Sequence, residues 1–232
     1  MLLFFDHNIS TDTENFTFDR TESKHLVKVL RKEKGTQITL TNGKGLEWRG
    51  ILTETSPHKA IAKKTETHQH KRLNRKIHLA IAPTKSNDRM EWMIEKLTEL
   101  GITSITPVLC DHSERRVVKI DRFIKIAVAA LKQSQQFFLP QINPLISFEK
   151  HLSKIKLPAL IAHCENTPKK ELSKYALNCD EIMLFVGPEG DFSPREIKLA
   201  TKLGLESVSL GSQRFRTETA GLLGCHTLFL KH

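Results

Sequence analysis

Residues 36–41 alternate polar and apolar side chains with period two, placing Ile38 and Leu40 on one face of a strand. Asn42-Gly43-Lys44-Gly45 follows, a hairpin signal because Asn and Gly tolerate positive φ. Residues 46–52 read as the returning strand and residues 60–62 as a third, so the first part of the chain is expected to form a small β-barrel. Leu26, Val29 and Leu30 mark the apolar side of a short helical turn over residues 25–31.

From residue 77 the rhythm becomes strand, helix, strand. Residues 77–82, 105–109, 159–163, 182–186 and 207–210 are short apolar runs, most of them separated by helical patterns. Met90, Met93, Ile94 and Leu97 fall at helical spacing, and Gly101 stops that helix. Ser193-Pro194-Arg195-Glu196 combines a capping box with proline at the first helical position, and Gly204 closes the helix it opens. Buried strands alternating with helices predict an α/β domain with a parallel sheet covered on both faces. A last helix, capped by Thr217, is apolar almost all round through Ala220, Leu222, Leu223, Leu228 and Phe229, and Gly221 and Gly224 permit close approach by another backbone. Burial in the domain core and in a dimer interface both satisfy that pattern.

The domains are thus expected at 1–70 and 77–232, joined over 71–76 by a basic linker carrying Lys71, Arg72, Arg75 and Lys76. Lys and Arg total 36 against 26 acidic residues, a net charge of +10 that favours polyanionic partners. Four cysteines, Cys110, Cys164, Cys179 and Cys225, form no C-x-x-C pair and have no histidine at ligand spacing, so they are expected to be small buried hydrophobes. No metal site is expected. No apolar run is long enough to span a bilayer, and the opening apolar residues stop at Asp6, so a cytoplasmic location is expected.

In open parallel α/β sheets, ligands bind at the carboxyl ends of the strands. Two unusual segments follow expected strands. Gly187-Pro188-Glu189-Gly190 makes a tight loop whose backbone can approach a ligand closely. Residues 210–221 carry Arg214 and Arg216 ahead of the last helix, whose positive end suits an anionic group. The dinucleotide fingerprint, the P-loop and the nucleophile elbow are all absent from the sequence.

Gly187-Pro188-Glu189-Gly190, Leu210-Gly211 and Arg216-Thr217-Glu218-Thr219-Ala220, in this order, resemble the signature of the RsmE family of SPOUT-class methyltransferases. The segment from His25 to Arg31 resembles the family's H-x-x-x-V-L-R segment. Lys85 and the run from Glu95 to Gly101 resemble its K…K-x-x-E-L-G segment, continued by the residues from Pro107 to Arg115, so the resemblance covers nearly the whole chain. It implies a PUA-like β-barrel, a C-terminal SPOUT domain with a deep trefoil knot, and a homodimer with its sites at the interface. It implies methyl transfer from S-adenosylmethionine to N3 of uridine 1498 in the 16S RNA of the small ribosomal subunit.

On this resemblance the cofactor is held by His163, Cys164 and Glu165, by Gly187, Pro188, Glu189 and Gly190, and by Leu210, Gly211, Phe215, Thr217, Thr219 and Ala220. Arg216 would stabilise negative charge on the uracil or a phosphate, and Glu218 would take the N3 proton. RNA contacts are expected from Arg20, Lys24, His25, Lys28, Arg31 and Lys32, and from Lys85 and Arg115. The chain departs from the family pattern at Lys132 and Gln136, where an acid and an arginine are usual, and at Asp191, where glycine is common. A knotted methyltransferase acting on transfer RNA or on a ribose hydroxyl, and a non-catalytic RNA-binding protein, are the competing readings.

Overall fold

A computed structural model describes residues 2–72 and 75–231 of the 232-residue chain. Leu73 and Asn74 of the expected linker, with Met1 and His232, lie outside the described residues. The chain divides into two compact units, Met1–Arg72 with Leu131–Leu139, and Leu73–Ala130 with Pro140–His232.

The first unit holds β1 (Leu3–Phe5), β2 (Asn15–Thr17), α1 (Arg20–Lys24), β3 (Gln37–Thr41), β4 (Leu46–Thr55) and β5 (Ala60–Gln69). They form a curled five-stranded sheet in the order β1-β3-β4-β5-β2. The pairs are antiparallel except for β1 with β3, and β4 carries irregularities at Arg49/Gly50 and Leu52/Glu54 that let the sheet bend. Trp48 is wholly buried and its indole N–H donates to the Thr13 carbonyl at 2.8 Å. Phe4 and Phe18 meet edge to face at 5.0 Å beside it.

One expectation is corrected here, and another is borne out with an addition. The helical pattern over residues 25–31 is a π-helical turn, His25–Val29, with the Leu30 N–H bonded five residues back to the His25 carbonyl at 2.9 Å. The wider turn changes the phase, so Leu26 is buried while Val29 is 66% exposed. The turn at residues 42–45 is also held by a distant segment. The Gly45 N–H donates to the Phe137 carbonyl at 2.8 Å, the Leu139 N–H donates to the Gly43 carbonyl at 2.9 Å, and His70 stacks on Phe137 at 4.1 Å. These contacts place residues 131–139 in the first unit.

The second unit begins with β6 (Lys76–Ile81), α2 (Asn87–Glu99), β7 (Ser104–Leu109) and α3 (Ile120–Gln133), whose last residues fall in the first unit. It continues with β8 (Gln141–Ile142), β9 (Ile146–Ser147), α4 (Phe148–Leu152), β10 (Ala159–Ala162) and β11 (Lys170–Glu171). It ends with β12 (Glu181–Val186), α5 (Pro194–Lys202), β13 (Glu206–Ser209) and α6 (Thr217–Phe229). The strands form one parallel sheet in the order β11-β13-β10-β12-β6-β7-β8, with β9 beside β7. His78 ties three of them, its Nδ1 2.7 Å from Ser104 Oγ on β7 and its Nε2 2.9 Å from Glu181 Oε1 on β12.

The expected strand cores and helix signals coincide with these elements. α2 buries Met90, Met93, Ile94 and Leu97 on one face and stops before Gly101, whose φ is +83°. Each such buried side chain contributes roughly 1.5–3 kcal/mol. α5 has the full capping box between Ser193 and Glu196. At α6 the cap is Arg216, and Thr217 is the first helical residue, in place of the expected Thr217 cap. The two glycines of α6 admit sheet side chains and not another backbone. A Cβ at Gly221 would lie 2.8 Å from Ile81 Cδ1, and one at Gly224 would lie 2.4 Å from Leu184 Cδ2. Of the four cysteines, Cys110 and Cys225 are buried as expected. Cys164 is exposed and Cys179 half-buried, and both lie in loops between the strands.

Candidate active site

The parallel register builds the site. Ala162, the last residue of β10, stands opposite Val186 at the end of β12 and opposite Val208 on β13. Three strands therefore release their loops at the same edge, and these loops with the start of α6 enclose a cavity of about 550 Å³. That volume lies within the range of small-molecule sites, ~300–1,000 Å³.

From the β10 loop, His163 and Cys164 line the cavity, and Glu165 does not. From the β12 loop, Gly187, Pro188 and Glu189 line it, and Gly190 does not. From the β13 loop come Leu210, Gly211, Phe215 and Arg216, and from α6 come Thr217 and Ala220, without Glu218 or Thr219. Gly211 has φ +132°, a conformation that side-chain-bearing residues rarely adopt. Ser212, Gln213 and Arg214, within the segment at residues 210–221 singled out above, also line the cavity, as do Lys169 and Asp191, which were not among the expected cofactor contacts. Their positions beside the expected motifs were the only signal in the sequence.

Several bonds hold these walls. The Asp191 N–H donates to the Pro188 carbonyl at 2.9 Å, closing a turn over residues 188–191. The Lys85 N–H, in the loop after β6, donates to Glu189 Oε1 at 3.1 Å. His112, in the loop after β7, donates from Nδ1 to the Gly190 and Asp191 carbonyls at 3.1 and 3.0 Å. Ser193 Oγ donates to Asp111 at 2.6 Å, and Arg195 pairs with the same carboxylate at 3.0 Å; together they hold the Asp111 carboxyl below its usual range.

His163 is 6% exposed, and neither of its ring nitrogens has a hydrogen-bond partner among the described residues. Burial, with Lys169 second, lowers its pKa and keeps it neutral. Arg216 is exposed at the N-terminus of α6, with its side chain making no cap bond. Glu218 is buried, and its Oε1 lies 3.7 Å from Arg89 Nε. Among the described residues, no cluster of three His, Cys, Asp or Glu is placed to hold a metal, and no helix is long and apolar enough to cross a membrane.

The expected RNA-contacting residues fall in both units. Lys85 and Arg115 lie in the loops after β6 and β7, Lys85 paired with Glu114 at 2.5 Å and Arg115 bonded to the Asn87 side chain. In the first unit, Arg20 and Lys24 lie on α1, His25 and Lys28 on the π-turn, and Arg31 and Lys32 just after it. His25 lies 3.7 Å from Glu22. Among the described residues, Arg20, Lys24, Lys28, Arg31 and Lys32 form no ion pair, which leaves five cations for an outside anion.

The RNA methyltransferase domain family matches residues 71–228, and the RNA methyltransferase PUA domain family matches residues 18–65. The ribosomal RNA small subunit methyltransferase E of Synechocystis sp. is 31% identical, over 88% of this chain and 69% of its own length. The chain belongs to the RsmE family of RNA methyltransferases. Another RsmE relative, from Bacillus subtilis, is 28% identical over 91% of this chain and 88% of its own length. Among solved structures, a probable rRNA-methyltransferase from Porphyromonas gingivalis superposes with a TM-score of 0.90 at 33% identity, over 98% of this chain and 97% of that one. The RsmE of Neisseria gonorrhoeae, solved bound to S-adenosylmethionine, superposes with a TM-score of 0.86 at 28% identity, over 100% of this chain and 98% of that one.

The RsmE cofactor suits this cavity on the chain's own chemistry. His163 offers two unpartnered ring nitrogens to the polar edge of an adenosine. The N-terminus of α6 with Arg216 suits a carboxylate, and Glu189 suits an ammonium or sulfonium centre.

Proposed function

We propose that this RsmE-family protein methylates N3 of uridine 1498 in the 16S RNA of the small ribosomal subunit, with S-adenosylmethionine as donor. The observation that carries the reading is the cavity itself, where three loops released in register surround the buried, unpartnered His163 and end at Arg216. When bound, S-adenosylmethionine supplies a methyl group already activated by its sulfonium charge. The chain's residues have only to hold, orient and dehydrate the reactants.

His163 and Cys164, the turn at residues 187–189, Leu210 and Gly211, and Phe215, Thr217 and Ala220 hold the cofactor. Glu165, Gly190 and Thr219 shape the same loops from behind the lining. The N3 proton of uracil must leave as the new N–C bond forms. Arg216, on the cavity wall and at the positive end of α6, stabilises the charge this leaves on the uracil oxygens. Glu218 lies beside Arg89 and off the cavity lining, so it takes the N3 proton only after the bound RNA has rearranged this corner.

Arg20, Lys24, His25, Lys28, Arg31 and Lys32 grip the RNA backbone, and Lys85 and Arg115 meet the RNA near the cavity. The target base flips out of its stack to reach the cofactor. The protein acts as a cytoplasmic homodimer. Apolar side chains on α6 and on α2, which packs against it, support the pairing: Leu223 is 39% and Trp92 43% exposed. The trefoil knot is part of the same reading.

The test is methyl transfer to small subunits and to naked RNA, with mass mapping of the product nucleoside. N3-methyluridine at the expected position is the predicted product. A 2′-O-methyl nucleoside or a transfer RNA product would move the protein to another substrate, and absence of cofactor binding at millimolar S-adenosylmethionine would favour a non-catalytic RNA binder. Arg216→Ala is expected to lower the single-turnover rate by roughly a hundredfold while leaving cofactor affinity nearly unchanged.

A further inference from the structure

The β10 and β12 loops form two walls of the cavity, yet the sheet ladder between these strands ends at Ala162 and Val186. Beyond that pair the walls are joined by a side chain. Asp191 Oδ2 accepts the Cys164 N–H at 2.7 Å, and Asp191 Oδ1 accepts the Phe192 N–H at 2.8 Å. Asp191 adopts φ +65°, the left-handed region that aspartate enters more readily than most residues. That conformation comes with the bond from its own N–H to the Pro188 carbonyl, and its carbonyl is in turn held by His112. The turn is thus fixed from behind while its carboxylate reaches across to the neighbouring loop.

We infer that Asp191 is a positioning residue for the cofactor, a staple that holds the Cys164 loop against the turn at residues 187–191 before the cofactor arrives. The inference rests on reading this cavity as the S-adenosylmethionine site. A ligand held by two loops binds in proportion to the time both are in place, so loosening one loop raises the apparent dissociation constant without altering the chemistry of the bound complex. The bond joins a charged acceptor to a backbone donor, which strengthens it, but Cys164 is exposed and water competes for both groups. An effect of about fivefold is therefore expected.

Asp191→Gly keeps the turn conformation accessible and removes the carboxylate. Asp191→Asn tolerates the same conformation and keeps one oxygen for the Cys164 N–H. Calorimetry with S-adenosylmethionine should show about fivefold weaker binding for Asp191→Gly, a similar rise in KM for the cofactor, and kcat within about twofold of the parent. Asp191→Asn should recover most of the affinity. In cofactor-free protein, hydrogen exchange at the Cys164 amide should be slow in the parent and in Asp191→Asn, and fast in Asp191→Gly.

Parent-like cofactor binding by Asp191→Gly, or an Asp191→Asn variant as impaired as Asp191→Gly, would overturn the staple. A Cys164 amide in the parent protein exchanging as fast as that of Glu165 would overturn it without any variant, which keeps the test decisive if Asp191→Gly fails to fold. If the parent protein binds no S-adenosylmethionine, the cofactor reading fails, and the exchange comparison still decides whether Asp191 holds the loop.

Discussion

Arg89 Nε lies 3.7 Å from Glu218 Oε1, and the Glu218 side chain is 8% exposed while that of Arg89 is 43% exposed. A carboxylate this buried needs a partner, and α2 supplies it to the first turn of α6. Arg89→Ala is expected to destabilise the protein by roughly 1–3 kcal/mol, because it strands a buried charge. Arg89→Ala with Glu218→Gln should recover part of that loss, since the glutamine is neutral. Urea unfolding of the single and double variants measures the coupling, and strictly additive effects would mean that the two side chains do not support one another.

His163 is held below the ordinary imidazole value of 6.5 by burial and then by Lys169, and burial acts the same way on His151. Folding therefore favours the neutral rings, while the unfolded chain takes up protons near pH 6.5. The stability these groups contribute is intact above that pH and declines as the pH falls through it toward the lower folded-state values. The melting temperature should drop between about pH 7.5 and about pH 5.5, and the drop should shrink in a His151→Asn/His163→Asn variant. An identical pH profile in parent and variant would remove both histidines from the explanation.

Gly224 faces Leu184 so closely that a Cβ would lie 2.4 Å from Leu184 Cδ2 and 3.4 Å from Leu210 Cδ2. Gly224→Ala is expected to cost roughly 1–3 kcal/mol by overpacking, despite the better helix propensity of alanine. Adding Leu184→Val should return part of it. Thermal unfolding checks this, and a Gly224→Ala protein as stable as the parent would show that α6 can shift away from β12.

Lys28 and Arg31 are exposed and form no ion pair among the described residues. Reversing both charges should weaken RNA binding and lower the slope of log K against log salt by roughly 1–2, while cofactor binding is spared. Equal RNA affinity and an unchanged slope, measured by titration at several salt concentrations, would take these side chains out of the interface.

Much of the fold was legible because short-range chemistry dictates it. The helical spacing of Met90, Met93, Ile94 and Leu97, the reciprocal cap of Ser193 and Glu196, and the apolar strand runs act over a few residues, and each reappears in the folded chain. The two-residue strands β8, β9 and β11 were not legible, since so few residues carry no periodicity. Val29 was misplaced because a π-turn and an α-turn share the same residues until the hydrogen bonds choose between them.

The sequence by itself determined the main strands and several of the helices, the α/β class of the second unit, the family and the glycine-bearing loops that belong to the site. Only the tertiary structure decided which of those residues face one cavity. The register that sets Ala162 opposite both Val186 and Val208 brings together loops far apart in the chain, and it turns Glu218 toward Arg89 while Arg216 faces the cavity. Asp191 shows the division most clearly. In the sequence it is one acidic residue after a glycine, and its bond to Cys164 exists only because two parallel strands end side by side.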